Sequence, residues 1–179
     1  MYLGTQNRIP TETTISALLN QVEVWCNALP DYLRYTNLSA PSYSRAIWYL
    51  GLRYNYALML ITRCYLLQSL LPGHDCTPEV ANRTEVCERA SDRSTAILLE
   101  MAKKNMISDL IWFDAHFILC NNAVLFLRVV RHASSSTDRA QLRDFIPVLK
   151  LTRKSRLGEY TLRHTEALLA DLESNSASE

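Results

Sequence analysis

Apolar residues recur along most of this chain at the three- and four-residue spacing of helices that bury one face. The first such stripe begins at Ile15 and continues to Leu29, where Pro30 ends it. Glycine is scarce, with 4 residues in 179, which disfavours a fold made of many tight β turns. The pattern therefore predicts an all-α protein, a multi-helix bundle of about six helices.

Two stretches are apolar around most of a helical circumference and predict the centre of the bundle. Tyr43 to Leu71 contains no proline, and single arginines, Arg53 and Arg63, interrupt its apolar sequence. Leu110 to Val130 is long enough to cross a bilayer, but it contains Asp114, whose charge is costly in lipid. We expect both stretches to be helices enclosed by the other, more amphipathic ones.

Start and stop signals place the remaining helices. Thr77-Pro78-Glu79 combines a cap, a proline at the first helical position and an acid in the first turn, which predicts a third helix. Asp138 is expected to cap a fifth helix, in which Pro147 predicts a kink or a break. The last helix is expected at Gly158 to Leu172, with Tyr160 on its buried face.

The length of the chain suits one domain. We expect residues 1–173 to form a helical domain and residues 174–179 to be a disordered tail. A net charge of +1 gives no overall electrostatic reason to expect binding to nucleic acid or to a membrane. The five cysteines include no CxxC pair and the N-terminal residues lack a signal peptide pattern, so we expect reduced thiols in a protein that is not exported.

Candidate chemistry is sparse. His116 and Cys120 lie four residues apart and could face one metal ion, but they supply two ligands only, so a packed core is favoured. Asp114 and His116 are about 200° apart around a helix and cannot act as a pair. His74-Asp75-Cys76 could hold a reactive thiol, although an ordinary turn is favoured. An all-α lyase would need clustered aspartates, and the acids are scattered. We expect no enzyme, metal or cofactor.

The arginines of the second helix need an explanation, because a charge on a buried helix must be paired, reach solvent or contact a ligand. One hypothesis is a cavity between the two central helices that recognises an acidic or aromatic metabolite. Its candidate lining is Arg63, Tyr65, Trp112, His116 and Asn121. The alternative, which we favour, is an internal ion pair or a guanidinium bound to backbone carbonyls.

A short basic cluster extends from Lys150 to Arg156. Such a cluster could act as a nuclear import signal or as a surface for an acidic partner. Basic clusters of this length are more often solvated surface, and we favour that interpretation.

Four motifs follow one another in a recognisable order. They are Trp25 with Leu29-Pro30 and Leu33, then Leu52 to Leu66, then Cys87 with Ala90, then Trp112 to Leu127. This order resembles the C-terminal half of the fungal-specific transcription factor domain, the middle homology region of fungal zinc-binuclear-cluster regulators. Arg63-Cys64-Tyr65-Leu66 stands where that family commonly has an arginine-proline-phenylalanine-leucine motif.

The resemblance implies a nuclear, regulatory segment that senses a small-molecule effector or docks a co-regulator protein, with self-association as a further option. The family's DNA-binding module needs six closely spaced cysteines, which this sequence lacks, so we expect no direct nucleic-acid binding and no membrane partner. The alternative is a stand-alone helical interaction module or a truncated paralogue without a ligand. A ligand pocket would be enclosed and partly polar, whereas an interaction module would expose a contiguous apolar face.

Overall fold

A computed structural model describes residues 11–33, 44–71, 77–108 and 112–176. Within these ranges the chain forms six α-helices and two single-turn 3-10 helices, and no strand. The α-helices are α1 (Glu12–Asn27), α2 (Ser44–Gln68), α3 (Pro78–Lys103), α4 (Trp112–Arg131), α5 (Ser136–Leu149) and α6 (Arg156–Ser176), and the 3-10 helices are Asp31–Leu33 and Lys150–Thr152. The prediction of an all-α, multi-helix bundle is confirmed.

Side-chain caps set where three of the helices begin. The Thr77 hydroxyl accepts the Val80 N–H at 3.3 Å and Pro78 follows it, as the sequence predicts. In α5 the prediction was wrong about the capping residue. The cap is Ser135, whose hydroxyl accepts the N–H of Asp138 at 3.2 Å, and Asp138 itself lies in the first turn of the helix.

The most extensive packing in the bundle joins α2 to α3. The two helices are antiparallel, because the Cys87 thiol donates to the Met59 carbonyl at 4.0 Å while the Lys104 ammonium lies 4.9 Å from the centroid of the Trp48 ring. Small residues such as Ala90 are buried at the contact and allow a close approach.

Helix α4 is central, since it packs against α2, α3, α5 and α6. Phe117, Ile118, Leu125 and Val129 bury their side chains in the main core, together with residues from α2, α3, α5 and α6. In the described part of the chain, α4 is the one helix that could cross a membrane by length and composition, and 44% of that stretch is buried inside the protein.

Helix α2 is covered on three sides but not on the fourth. It packs against α1, α3 and α4, and a single stripe along it stays exposed. The stripe consists of Ala46, Arg53, Leu60, Arg63 and Leu67. The expectation that other helices enclose α2 is therefore correct for most of its circumference and wrong for this stripe.

Three details of the C-terminal region differ from expectation. Helix α5 continues two residues past Pro147 before a 3-10 turn follows, so the proline falls at the end of the helix rather than breaking it. Helix α6 ends at Ser176, so residues 174–176 belong to a helix and not to a disordered tail. Tyr160 is 54% exposed, and Thr165 takes the buried position on α6.

Candidate functional site

The five residues predicted to line a cavity lie in different surroundings. Trp112 and His116 are in edge-to-face contact, with ring centroids 5.5 Å apart. Arg63 is exposed on α2, whereas Tyr65 and Asn121 are buried and bonded to other helices. The contacts of Tyr65 and Asn121, described next, give both residues structural roles.

Tyr65 belongs to a polar cluster that joins α1 to α2 and α3. Its hydroxyl donates to a carboxylate oxygen of Glu12 at 2.6 Å, and the Nε of Arg83 donates to the other oxygen at 3.1 Å. These hydrogen bonds lower the pKa of Glu12 to about 2, and the bond from Tyr65 has the larger effect. Burial and the same carboxylate raise the pKa of Tyr65. Arg83 therefore pairs across helices rather than with Glu79, whose pKa is raised by its hydrogen bond to Glu12.

Asn121 and Asn122 are adjacent on α4 and bond to opposite neighbours. The Ser91 hydroxyl donates to Asn121 at 3.0 Å, and the amide of Asn121 donates to Thr95 at 2.8 Å, both on α3. The amide of Asn122 donates to the Thr165 hydroxyl of α6 at 3.0 Å. All five side chains are buried, so these bonds satisfy groups that water does not reach.

The His116 and Cys120 pair forms a contact but no metal centre. The Cys120 sulfur lies 3.9 Å from Nδ1 and 3.8 Å from Nε2 of the ring. Among the described residues no group of three histidines, cysteines or acids could hold a metal ion. Asp114 is buried and accepts bonds from the Ser108 N–H at 2.8 Å and from Arg45 at 3.1 Å. Its burial raises the pKa of Asp114.

The four described cysteines are free thiols, and burial makes two of them less acidic. Cys26, Cys64, Cys87 and Cys120 form no disulfide. Burial raises the pKa of Cys87 to about 11 and also raises that of Cys120, so both stay protonated at neutral pH. The candidate triplet His74-Asp75-Cys76 lies outside the described residues.

A cluster of charged side chains links α3, α4 and α5. The Arg128 guanidinium binds Asp92 and lies 2.5 Å from Asp138, and Gln141 donates to Asp92 at 2.8 Å. Burial opposes the charge of Arg128, but the bond to Asp92 and the nearby carboxylates raise its pKa overall. Asp92 and Arg128 also line an open cleft of about 540 Å³. Because its main charges already pair with each other, we assign this cluster a structural role and not a ligand site.

A continuous exposed surface crosses α1, α2 and α4, and Arg53 lies at its middle. Arg53 lines a groove of about 280 Å³ with Leu18 and Trp25 of α1. Its guanidinium carbon also lies 5.5 Å from the ring centroid of Phe113 on α4, and Trp112 stacks on Phe113 at 4.1 Å. We call this surface the outer face. It comprises Leu18, Trp25, Arg53, Leu60, Arg63, Leu67, Trp112 and Phe113.

The outer face is unusually apolar for exposed side chains. Leu67 is 49% exposed and Trp112 is 64% exposed, and Leu60 and Trp25 both exceed two-fifths. Arg53 and Arg63 are also exposed, and neither forms an ion pair with a carboxylate in the part of the chain that the structure describes. We had favoured an internal ion pair or a guanidinium bound to backbone carbonyls. The internal ion pair was wrong, because both arginines are exposed and no described helix covers this side of α2.

Sequence reasoning missed most of the outer face. Trp25 falls outside the apolar stripe of α1, and that position was the signal that it faces solvent. Leu18 lies three residues after Ile15, at the spacing of the predicted buried stripe, but it is 39% exposed. The exposure of Phe113 could not be predicted from the sequence. The run that forms α4 is apolar around most of the helix, so it has no polar side that would show which residues face solvent.

The basic cluster is folded and not an extended peptide. Lys150–Thr152 is a 3-10 helix, and Thr152 is 4% exposed with its hydroxyl donating to the Leu149 carbonyl at 2.8 Å. A partner of Lys150 to Arg156 would therefore contact side chains on a fixed corner of the domain.

No protein-family model, curated protein or solved structure matches this chain. The class that the fold itself defines is an all-α helical bundle. The likeness to the fungal-specific transcription factor domain stays a prediction from the motifs, and so do the regulatory role and the nuclear location that it implies.

Proposed function

We propose that this chain is a regulatory helical domain of the kind the motifs resemble, acting in the nucleus, and that it works by docking a partner protein on its outer face. The observation that carries the proposal is the contiguous exposed surface on both sides of Arg53. Large exposed apolar surfaces with tryptophan and arginine are typical of protein interfaces. The proposal includes no catalytic step and no cofactor.

Partner docking is favoured over metabolite sensing by the shape of the surface. The groove beside Arg53 is shallow and open, and its lining of Leu18, Val22, Trp25 and Ala57 is mainly apolar. A metabolite site would enclose its ligand and supply converging polar groups. A groove between two packed helices instead suits the apolar side of a third helix.

The positive charges on the outer face indicate which kind of helix would bind there. Arg53 and Arg63 lie about three helical turns apart on one side of α2, and Leu60 lies between them. Because the described carboxylates leave both arginines without an ion pair, a helix with apolar residues flanked by glutamates or aspartates would complement them. We therefore propose an acidic amphipathic helix of a co-regulator protein as the occupant.

Docking would affect regulation through α1. This helix buries one residue fully, Ile15, and contributes Leu18 and Trp25 to the outer face. A partner that contacts α1 and α2 together stabilises the packed position of α1, so its binding shifts the population of packings. The size of the shift is limited by the partner's differential affinity for the two packings.

A charge-swap experiment tests the docking. A designed helical peptide with leucines on one side and flanking glutamates is titrated into the chain, and tryptophan fluorescence reports binding because Trp25 and Trp112 are exposed. We expect binding by this peptide and little by the same peptide with lysines. The double variant Arg53→Glu/Arg63→Glu should reverse the preference, whereas Arg93→Glu, an exposed site on α3, should not. Equal binding of the two peptides would contradict the proposal.

A reporter experiment tests the regulation separately. The chain is fused to a heterologous DNA-binding module, and transcription of a reporter is measured for Trp112→Ser and for Val130→Ser. Both sites are exposed apolar positions on α4, and only Trp112 lies on the outer face. We expect a changed output for Trp112→Ser alone. Peptide binding without any reporter effect would indicate the stand-alone interaction module, and sedimentation as a dimer that Trp112→Ser dissolves would indicate self-association.

A further inference from the structure

The turn between α5 and α6 forms a second exposed surface. Its residues lie more than thirty positions after the last residue of the outer face in the sequence. Leu151, Leu157 and Tyr160 point outward there and are 42%, 62% and 54% exposed. Basic residues at 153, 154 and 156 are exposed beside them. We call this set the basic corner: Leu151, Arg153, Lys154, Arg156, Leu157 and Tyr160.

The basic corner has a fixed shape. The Ser155 hydroxyl donates to the Thr152 carbonyl at 3.0 Å and accepts the Gly158 N–H at 2.9 Å. A β-carbon on Gly158 would lie 2.1 Å from the Thr152 carbonyl oxygen, so the first turn of α6 is pressed against the preceding 3-10 helix. The exposed side chains are therefore presented by a tightly packed, hydrogen-bonded turn.

Charge is concentrated at this corner. Between residues 150 and 164 the sequence has five basic side chains and one acidic side chain, in a chain whose net charge is only +1. The remainder of the chain is therefore net negative, which the overall charge conceals. Lys150 pairs with Glu166 at 3.5 Å, but among the described residues no carboxylate pairs with Arg153, Arg156 or Arg163.

We propose that the basic corner docks on the surface of an anionic lipid bilayer, an activity separate from the proposed function. Positive charge attracts the corner to acidic headgroups, and exposed leucine and tyrosine side chains insert at the headgroup level. A peptide would need a groove to bind in, and the groove and the cleft described above line other parts of the bundle. Nucleic acid would use the arginines but not Leu151 and Leu157.

Vesicle co-sedimentation of the full chain tests the proposal. We expect binding to phosphatidylcholine vesicles that contain phosphatidylserine and little to vesicles of phosphatidylcholine alone, with added salt weakening the binding. Arg153→Gln/Arg156→Gln should weaken it roughly twenty- to thirty-fold, since each basic residue near a bilayer contributes roughly a fivefold factor. The matched control Arg89→Gln/Arg93→Gln removes two exposed charges from α3 and should have little effect.

A second variant separates insertion from charge attraction. Leu157→Ser/Tyr160→Ser keeps every charge and alters exposed side chains only, so circular dichroism should show an intact fold. We expect it to weaken vesicle binding while the salt dependence remains. The proposal is overturned by equal sedimentation with both vesicle types, by equal effects of the two arginine pairs, or by binding to duplex DNA or RNA with no binding to vesicles.

Discussion

Glu12 is the carboxylate through which α1 is bonded to the rest of the bundle. Tyr65 and Arg83 both donate to it, one from α2 and one from α3. Because its folded-state pKa lies below the ordinary value of 4.5, the ionised form stabilises the folded protein at neutral pH. That contribution is lost as the pH falls from about 4.5 to about 2. The raised pKa of Glu79 acts in the opposite direction.

Glu12→Gln should lower the free energy of unfolding at pH 7 and flatten its decline below pH 4.5. About a third of the Glu12 side chain is exposed, so solvent screening limits the loss to about 1 kcal/mol. Urea unfolding at pH 7 and at pH 3 measures both effects. Glu23→Gln, at an exposed position on the same helix, is the control and should leave the pH dependence unchanged.

Single residues show what the sequence could not predict. Tyr65 was predicted only as candidate lining of a cavity. Its hydroxyl bonds Glu12, which lies 53 residues away on a helix whose orientation no local pattern gives. Asn121 was also predicted as candidate lining of that cavity, and its buried amide bonds Ser91 and Thr95. Residue type indicates that a polar group needs a partner, and only the packing decides which one.

At the scale of the helices, local sequence signals were sufficient to predict the fold class and the start of α3. The Thr77-Pro78 start and the scarcity of glycine placed α3 and the all-α class correctly, because caps and helical periodicity act within a few residues. The exposed stripe of α2 was not predictable in the same way. Its leucines resemble those of the core in type and spacing, and their exposure depends on the absence of a covering helix in the described structure.

Gly158→Ala should disturb the contact between α6 and the 3-10 helix before it. The new methyl group would meet the Thr152 carbonyl oxygen, a backbone atom that cannot move away without shifting the turn. We expect a loss of about 1 to 3 kcal/mol in the free energy of unfolding, the usual range for overpacking. Denaturant unfolding measures it, and the exposed neighbour Leu157→Ala should change stability by less than about 0.5 kcal/mol. An unchanged midpoint for Gly158→Ala would contradict the described turn.

At the scale of the whole molecule, stability is unevenly distributed. Helix α1 buries Ile15 alone, whereas α3 buries ten residues and α4 eight. A helix with few buried contacts opens at a lower free energy than the global unfolding. Among the three helices that carry the outer face, α1 is thus expected to open most readily.

Hydrogen exchange should show this gradient. We expect the amides of α1 to exchange well before those of α3 and α4 at neutral pH, because α1 can detach without exposing the main core. Mass spectrometry of exchanged peptides measures the difference. Binding of the acidic helical peptide should slow exchange in α1 selectively. Equal protection of α1 and α3 in the free protein would mean that the bundle opens only as one unit.

The adjacent asparagines of α4 limit how the domain can move. Asn121 is bonded towards α3 and Asn122 towards α6, roughly 100° apart around the helix axis. Rolling α4 about its own axis would break both sets of bonds at once in a space without water. We therefore expect a conformational change of this bundle to proceed by tilting or sliding of the outer helices. Helix α4 would keep its rotational orientation during that change.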